Sequence, residues 1–238
     1  MLPALLACVL LFTGCENRDP EKTETVRVGV AIYQQDDTFI SIVVQEFERL
    51  ARVKEGESLL KINLSIADGQ SNQTLQMEQV DRFLDWGCDV LCVNMVDRTA
   101  AAVIVDKAEE AGVPVIFFNR QPVEEDLQRW EKAYYVGPRG EQSGIFQGQI
   151  VWAQWQEDRE RVDRNGDGVL QYVMLEGEPS HQDALLRTEY SIKTLTYAGV
   201  LVEKLASDTA NWNRGQAAAK MSQWQQEFGS QIEAAFAN

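Results

Sequence analysis

Short apolar segments alternate with amphipathic segments along most of this chain, and this alternation constrains the fold more than any other feature. Residues 26–33 form a near-continuous apolar run typical of a buried strand, and residues 39–50 then carry apolar side chains at helical spacing. The same strand-then-helix order recurs at 61–67 and 71–86, at 89–93 and 99–111, and with a further strand at 113–119. This order predicts an α/β fold with right-handed crossovers and a parallel sheet flanked by helices.

Polar residues follow each predicted strand. In open parallel sheets, ligands bind beyond the carboxyl ends of the strands, so these residues are the candidates for a binding site. They occupy positions 34–39, 68–72, 94–97 and 119–120.

A second series of strands and helices follows residue 137, where we place a domain boundary. Helices are predicted at 141–156, 181–197 and 214–228, and strands at 170–175, at 200–205 and from 231 onward. The sequence stops at Asn238 within the last strand, and a central strand needs further helices to cover it. We therefore expect a fragment with an incomplete second lobe. Its parts are an amino-terminal segment at 1–25, a first lobe at 26–137 and the partial second lobe at 138–238.

The charge of the chain limits its partners. The formal net charge is −15, whereas proteins that bind nucleic acids present clustered lysine and arginine to the phosphates. Neither glycine-rich phosphate-binding motif occurs in the sequence. We expect no nucleic-acid partner and a soluble, monomeric protein.

The amino terminus has the features of an export signal. Its first fourteen residues, MLPALLACVLLFTG, are apolar but too few to cross a bilayer. Cys15 follows in a segment that resembles a bacterial lipobox, and residues 16–25 form a polar tether. We predict export to the periplasm or outer face of the membrane with a lipid anchor at Cys15; the alternative is an ordinary signal peptide with an incidental cysteine.

One segment matches the opening of a calcium-binding loop. Asp163, Asn165 and Asp167 alternate along DRNGDGVLQ, and a glycine follows for the turn. Calcium takes six to eight oxygen ligands, which these side chains, the Val169 carbonyl and the Gln171 amide could supply. Met174 occupies the position where the motif has a bidentate glutamate, so a distant carboxylate is needed. The alternative is a surface turn rich in Asx residues.

Two further clusters lie at predicted strand ends. His181, Asp183 and Arg187 meet at one helix N-terminus, where they could bind sugar hydroxyls, cap the helix with a surface ion pair, or form a hydrolytic dyad. Asp36 and Asp37 precede Phe39, where helix capping is the usual role. A G-x-S-x-G nucleophile turn is absent from the sequence, which argues against hydrolysis.

Together these segments resemble the periplasmic glucose/galactose-binding proteins of bacterial sugar transporters. The resemblance covers residues 26–238 and rests on ordered motifs: VGVAIYQQDDTF, VPVIFFNRQP, KAYYVG, SGIFQG, DRNGDGVLQ, GEPSHQDALLR and DTANW. It implies the two-lobed type I periplasmic-binding-protein fold, whose lobes close on a sugar.

The resemblance also implies roles for individual residues. Sugar hydroxyls would be bound by polar side chains from both lobes: Asp37, Asn119, His181, Asp183 and Arg187. Phe39 and Trp212 would cover the two faces of the pyranose ring. The calcium loop would be completed by Glu233.

These roles imply a binding protein rather than an enzyme. We expect it to take up glucose or galactose outside the cytoplasm and deliver it to the membrane permease of an ABC transporter, and to act in chemotaxis through a chemoreceptor. The alternatives are a sensor subunit that presents sugar to a receptor or kinase, a hydrolase that uses His181 and Asp183, and a cytosolic repressor of related fold. The lack of a basic helix-turn-helix segment disfavours the repressor.

Overall fold

The computed structural model of the chain describes residues 24–179 and 181–238. The predicted signal segment and the lipidation site at Cys15 lie outside the described residues, as does Ser180. Within the described part, no helix combines the length and apolar character that a membrane span requires.

Five parallel strands form the first sheet, in the order β2-β1-β3-β4-β5. Their bounds are β1 Glu24–Ile32, β2 Leu60–Asp68, β3 Val90–Val93, β4 Val115–Phe118 and β5 Ala133–Val136. Val30, Leu91 and Phe117 are fully buried, because helices cover both faces of this sheet. Burying side chains of this size stabilises the fold by about 1.5–3 kcal/mol each.

Four helices pack on this sheet, and together they make the first lobe. They are α1 Thr38–Glu57, α2 Gln73–Asp85, α3 Ala101–Ala111 and α4 Glu124–Leu127, with a short 3-10 turn at Arg98–Ala100 before α3. Phe47 of α1 packs on one face of the sheet, beside Phe118. Phe83 of α2 and Ile104 of α3 pack on the other face.

A second, smaller sheet has three parallel strands in the order β7-β6-β8. With its helices it makes the second lobe. The bounds are α5 Gly140–Glu157, α6 Arg159–Val162, β6 Val169–Glu176, α7 Gln182–Tyr197, β7 Leu201–Thr209, α8 Arg214–Glu227 and β8 Ala234–Ala237. Trp155 of α5 and Leu195 of α7 are buried on one face of this sheet, and Trp224 of α8 on the other.

Three glycines at four-residue intervals allow α5 and α7 to pack closely. A Cβ atom on Gly144 would lie 2.9 Å from the Arg187 carbonyl oxygen, and one on Gly148 would lie 2.5 Å from the Ser191 carbonyl oxygen. A Cβ on Gly140 would meet the Asp183 backbone at 3.1 Å. The interval of four residues keeps the three glycines on one helix face, so a side chain on any of them would push α7 outward.

The structure confirms the predicted fold class, an α/β arrangement of parallel sheets flanked by helices. Every predicted strand and helix in the described part is present, although β1 begins at Glu24, within the predicted tether. Helices α4 and α6 were not predicted, because four residues are too few to show helical periodicity. Cys88 and Cys92 are buried and free.

Candidate functional site

A cavity of about 640 Å³ lies where the two lobes face each other. It is lined from both lobes, and its lining includes every residue that the sequence predicted to bind sugar: Asp37, Phe39, Asn119, His181, Asp183, Arg187 and Trp212. It also includes residues to which the sequence analysis gave no role in binding, among them Tyr33, Arg120 and Asn238. Residues that are far apart in the chain therefore share one cleft.

Asp37 enters the cleft from the end of the first strand. It caps α1, because its Oδ1 accepts the Ile40 N–H at 2.8 Å, while its Oδ2 accepts the Tyr33 hydroxyl at 2.6 Å. Burial, followed by the bond to Asp37, raises the pKa of Tyr33, so the phenol stays protonated and donates. Capping and ligand binding are thus compatible roles for one carboxylate, whose oxygens each have a second lone pair.

Asn119 follows β4 in a backbone conformation that is uncommon for a residue with a side chain. Its φ is +63°, in the left-handed region. The Asn119 N–H donates to the Val136 carbonyl at 3.1 Å, and the Asn119 carbonyl accepts the Tyr135 hydroxyl at 3.1 Å. These bonds fix the turn that aims the Asn119 side chain into the cleft.

His181 caps helix α7 on the opposite side of the cleft. Its Nδ1 accepts the Asp183 N–H at 3.2 Å, which leaves Nε2 as the protonated nitrogen of the neutral ring. Burial, assisted by Arg120, Arg187 and Arg98, lowers the pKa of His181 to about 3. His181 therefore presents a neutral N–H donor, and its ring meets that of Trp212 edge-on at 4.7 Å.

Asp183 and Arg187 form an ion pair on the first turns of α7. Arg187 Nη2 lies 3.2 Å from Asp183 Oδ2, and only 2% of the Asp183 side chain is exposed. Burial raises the pKa of Asp183, and the charge of Arg187 opposes that shift. Asp183 Oδ1 and Arg187 Nε are buried without a protein partner, so both retain hydrogen-bonding capacity for a ligand.

Aromatic side chains contribute from both lobes. Phe39, at the start of α1, is 58% exposed. Trp212 has a left-handed φ of +51°, and its ring packs so closely on Gly177 that a Cβ there would lie 2.4 Å from it. The backbone therefore sets the position of Trp212, and any side chain at residue 177 would displace the ring.

Arg120 links the two lobes; the sequence placed it among the polar residues that follow strands but predicted no role for it. Its guanidinium lies 3.7 Å from the centre of the Tyr33 ring, and its Nη2 lies 2.8 Å from Glu178 Oε2 in the second lobe. The position directly after Asn119 was the only sequence signal for it. Asn238 was also without a predicted role; its Nδ2 donates to the Ala184 carbonyl and the Thr188 hydroxyl on α7.

The hydrolase alternative does not fit this geometry. In a hydrolytic dyad, a carboxylate orients the imidazole by accepting its N–H. Here the His181 Nδ1 is occupied by the Asp183 backbone N–H, and the Asp183 carboxylate pairs with Arg187.

The residues of the predicted calcium loop lie together at the far end of the second lobe. Gly166 and Gly168 both have left-handed φ values, which turn the loop. Asn165 Nδ2 lies 3.0 Å from Asp167 Oδ2, and Gln171 Nε2 lies 2.9 Å from the same oxygen. These contacts bring three of the predicted ligand side chains together, with the amide nitrogens of Asn165 and Gln171 turned toward the Asp167 carboxylate.

Glu233 reaches this loop from just before β8. It accepts the backbone N–H groups of Arg164, at 2.6 Å, and of Gln171, at 3.1 Å. Asp163 Oδ1 is buried without a hydrogen-bond partner in the described part of the chain, while Oδ2 of the same carboxylate lies 3.5 Å from Arg159 Nε and accepts the Gly168 N–H at 2.9 Å. Among the described residues, no three His, Cys, Asp or Glu side chains form a metal cluster by themselves. The set depends on amide and carbonyl oxygens, so its chemistry fits calcium rather than a transition metal.

Comparison with known proteins places the chain in a family. The model of the periplasmic binding protein domain matches residues 28–238. The D-galactose/methyl-galactoside binding periplasmic protein of Haemophilus influenzae is 39% identical over 198 residues, which are 83% of this chain and 58% of that protein. The xylitol-binding protein of Mycolicibacterium smegmatis is 27% identical, over 93% of this chain and 57% of its own length.

Solved structures agree with the architecture. An ABC transporter solute-binding protein from Bacillus halodurans with bound myo-inositol has a TM-score of 0.69 and 26% identity, over 92% of this chain and 68% of that one. An arabinose transporter component from Shewanella reaches a TM-score of 0.73 at 17% identity, over 90% of this chain and 64% of its own, which supports the fold alone.

These relatives are solute-binding proteins and not enzymes, in agreement with the sequence analysis. The chain spans 58% of the length of the galactose-binding relative and 57% of the xylitol-binding one. With a family model matched over nearly all of its described residues, the chain belongs to the periplasmic binding protein family.

Proposed function

We propose that this protein binds a neutral monosaccharide between its two lobes, outside the cytoplasm, and delivers it to an ABC transporter. The observation that carries the proposal is the shared cleft, in which hydrogen-bonding side chains from both lobes stand beside Phe39 and Trp212. A pyranose has polar edges and apolar C–H faces, so it matches a cavity of mixed aromatic and polar lining.

The charges in the cleft favour a neutral ligand over an anion. Arg120 pairs with Glu178, and Arg187 pairs with Asp183. The Asp37 carboxylate adds a further negative charge, and it accepts hydrogen bonds from two neutral groups, the Tyr33 hydroxyl and the Ile40 N–H. A sugar acid or sugar phosphate would bring more negative charge to this site and would be disfavoured.

Galactose and glucose are the sugars we propose. This choice rests on the 39% identity with a protein named for D-galactose and methyl-galactoside, and on the resemblance of the cleft motifs. Titration calorimetry of the whole gene product with D-galactose, D-glucose, methyl-β-galactoside and myo-inositol tests it. We expect heat with one of the two hexoses; heat with myo-inositol alone would refute the hexose assignment, and no heat with any would refute sugar binding.

Delivery to a membrane permease is the partner function we propose, and presentation of the sugar to a chemoreceptor or sensor kinase is its alternative. Closure of two lobes around a ligand creates the new surface that either partner would recognise. Uptake of labelled galactose by cells lacking this gene separates the two. Lost uptake supports transport, whereas normal uptake with lost chemotaxis supports sensing.

We also propose that calcium occupies the loop and has a structural role. The supporting observations are the buried, unpartnered oxygen of Asp163 and the approach of Glu233 to the loop. Side-chain ligands would come from Asp163, Asn165, Asp167, Gln171 and Glu233, with a carbonyl oxygen from Val169. Bound calcium would supply positive charge that joins the loop to the segment before β8.

The proposal extends to the amino terminus, where Cys15 would carry the lipid anchor. The lipobox-like segment before it is the support for this assignment. Incorporation of labelled palmitate into the wild-type protein, and its absence from Cys15→Ala, would be the expected result. Equal labelling of both would refute the anchor.

A further inference from the structure

Asn94 lies directly beneath the cleft without lining it. It follows β3 in the first lobe and is fully buried. A buried side-chain amide needs partners for both its oxygen and its nitrogen, since a buried polar group without a hydrogen bond destabilises the fold. The partners of Asn94 determine what its neighbour presents to a ligand.

Two backbone groups fix the orientation of the Asn94 amide. Its Oδ1 accepts the Tyr33 N–H at 3.4 Å, and its Nδ2 donates to the Phe118 carbonyl at 3.2 Å. A backbone N–H can only donate and a carbonyl can only accept. Rotation of the amide by 180° would therefore place a donor against the Tyr33 N–H and an acceptor against the Phe118 carbonyl, which are two repulsive contacts.

This orientation determines that of the Asn119 side chain. Asn94 Nδ2 also donates to Asn119 Oδ1, at 3.1 Å. Because Nδ2 can only donate, the Asn119 atom that faces it must be the oxygen. The Asn119 nitrogen is then turned away from Asn94, with both of its hydrogens free for other acceptors.

A second buried amide holds the backbone around Asn94 in place. Gln76 of α2 is fully buried, and its Nε2 donates to the Asn94 carbonyl at 2.8 Å. Its Oε1 accepts the Val96 N–H at 2.9 Å. The loop after β3 is therefore tied to α2 on both sides of the residue that orients Asn119.

We infer that Asn94 is a positioning residue for sugar binding, which acts by holding the Asn119 amide so that it donates to a ligand oxygen. The first lobe then offers a donor at Asn119 and an acceptor at Asp37. A sugar hydroxyl group suits this combination, because its oxygen can accept an Asn119 N–H while its O–H donates to the Asp37 carboxylate. The inference rests on the proposed sugar-binding function.

A double-mutant cycle tests the inference. Dissociation constants for D-galactose and D-glucose are measured by calorimetry on the whole gene product with Asn94→Ala, Asn119→Ala and the double substitution. We expect Asn94→Ala alone to weaken binding about tenfold, which is the loss of affinity expected when the hydrogen bond from Asn119 to the sugar is lost. In the Asn119→Ala background the same change should weaken binding less than about twofold, because the donor that it orients is gone.

A matched control separates positioning from general destabilisation. Gln79 is also a buried amide of α2, and its Nε2 donates to the Asp68 carbonyl at 2.6 Å, with no link to Asn119. Gln79→Ala should lower the melting temperature as Asn94→Ala does, with unchanged sugar affinity. If Asn94→Ala does not fold, the nearly isosteric Asn94→Asp replaces it, and its lost donor should produce the same coupling.

Equal losses of affinity from the Asn94 change in both backgrounds would overturn the inference and leave the proposed function intact. Failure of the unmodified protein to bind either hexose would refute both the inference and the proposed hexose binding.

Discussion

The two lobes hold their ligand-facing side chains in different ways. In the first lobe, Asp37 and Asn119 follow separate strands, and each is fixed by a hydrogen bond to a buried partner, Tyr33 or Asn94. In the second lobe, the polar residues His181, Asp183 and Arg187 all lie at the beginning of helix α7. Their position depends on how closely α7 packs against the glycines of α5.

This difference predicts two kinds of damage. A substitution in the first lobe should remove one contact with the ligand and leave the others unchanged. A substitution that displaces the first turns of α7 should shift several contacts together, because His181, Asp183 and Arg187 all lie on those turns.

The largest effect is expected from Asp37→Ala. Loss of a charged acceptor should weaken galactose binding by about a hundredfold or more. The lost helix cap should cost only about 1 kcal/mol of stability. Calorimetry and thermal melting measure the two quantities.

Asn72→Ala is the matched control for that variant. Asn72 caps α2 by accepting the Leu75 N–H at 3.1 Å and does not line the cleft. It should lose similar stability and retain full affinity. Unchanged affinity in Asp37→Ala would contradict the role of Asp37.

Removal of calcium should destabilise the second lobe selectively. Calcium at about 100 times its dissociation constant should add about 2.7 kcal/mol, which corresponds to about 5–10 °C in melting temperature. Asp167→Ala should lower the melting temperature and abolish the response to calcium, as followed by calorimetry with and without a chelator.

Asp158→Ala is the control, because Asp158 caps the neighbouring α6 through the Arg161 N–H at 3.2 Å and is not among the predicted ligands. It should retain the calcium response. Equal melting temperatures of the unmodified protein with and without calcium would refute the proposed calcium site.

Gly144→Ala should show the concerted damage expected of the second lobe. Its Cβ would press on the Arg187 backbone and displace α7, with an overpacking cost of about 1–3 kcal/mol. We expect sugar affinity to fall about tenfold, as measured by calorimetry.

Gly148→Ala makes the same change one turn further along, against Ser191 and Thr194, away from the cleft. It should lose similar stability and change affinity less than about twofold. If both variants lose affinity equally, the loss does not come from local displacement of the first turns of α7.

The last prediction concerns the pH dependence of stability and involves no ligand contact. The pKa of His181 is about 3 in the folded protein, whereas that of an unperturbed histidine is 6.5. Between these two pH values the unfolded chain binds a proton at His181 and the folded protein does not. The stability contribution of His181 is therefore complete above pH 6.5 and declines as the pH falls toward 3.

His181→Gln should flatten this part of the stability profile, as followed by denaturant unfolding between pH 7 and pH 4. These 238 residues contain one histidine, so the difference between the two proteins reports on it alone. Parallel profiles for the two proteins would contradict a buried, neutral His181.

The sequence predicted the fold well because apolar periodicity determines which faces are buried. It predicted the cleft residues because polar side chains after parallel strands share one edge, as Asp37 and Asn119 do. Their identification as sugar ligands came from the motif resemblance, and their roles remain predictions.

Other parts of the site depend on tertiary contacts that leave no periodic signal. Arg120 could equally have been a surface residue, and only the meeting of two lobes pairs it with Glu178. The glycines of α5 would individually suggest a weak helix, and their role is evident only when α7 lies against them. Asn94 was among the residues noted after strands, but nothing in the sequence distinguished it from its neighbours.

The pair formed by Arg120 and Glu178 has a consequence for the proposed delivery of sugar to a transporter. The contact involves protein atoms alone, so it holds the two lobes together whether or not sugar is bound. Strengthening it would increase apparent affinity, because a larger fraction of molecules would be ready to bind. It would also increase the number of empty molecules whose lobes are held together as in the loaded protein, so the proposed transport function would set an upper limit on how strong this single ion pair can be.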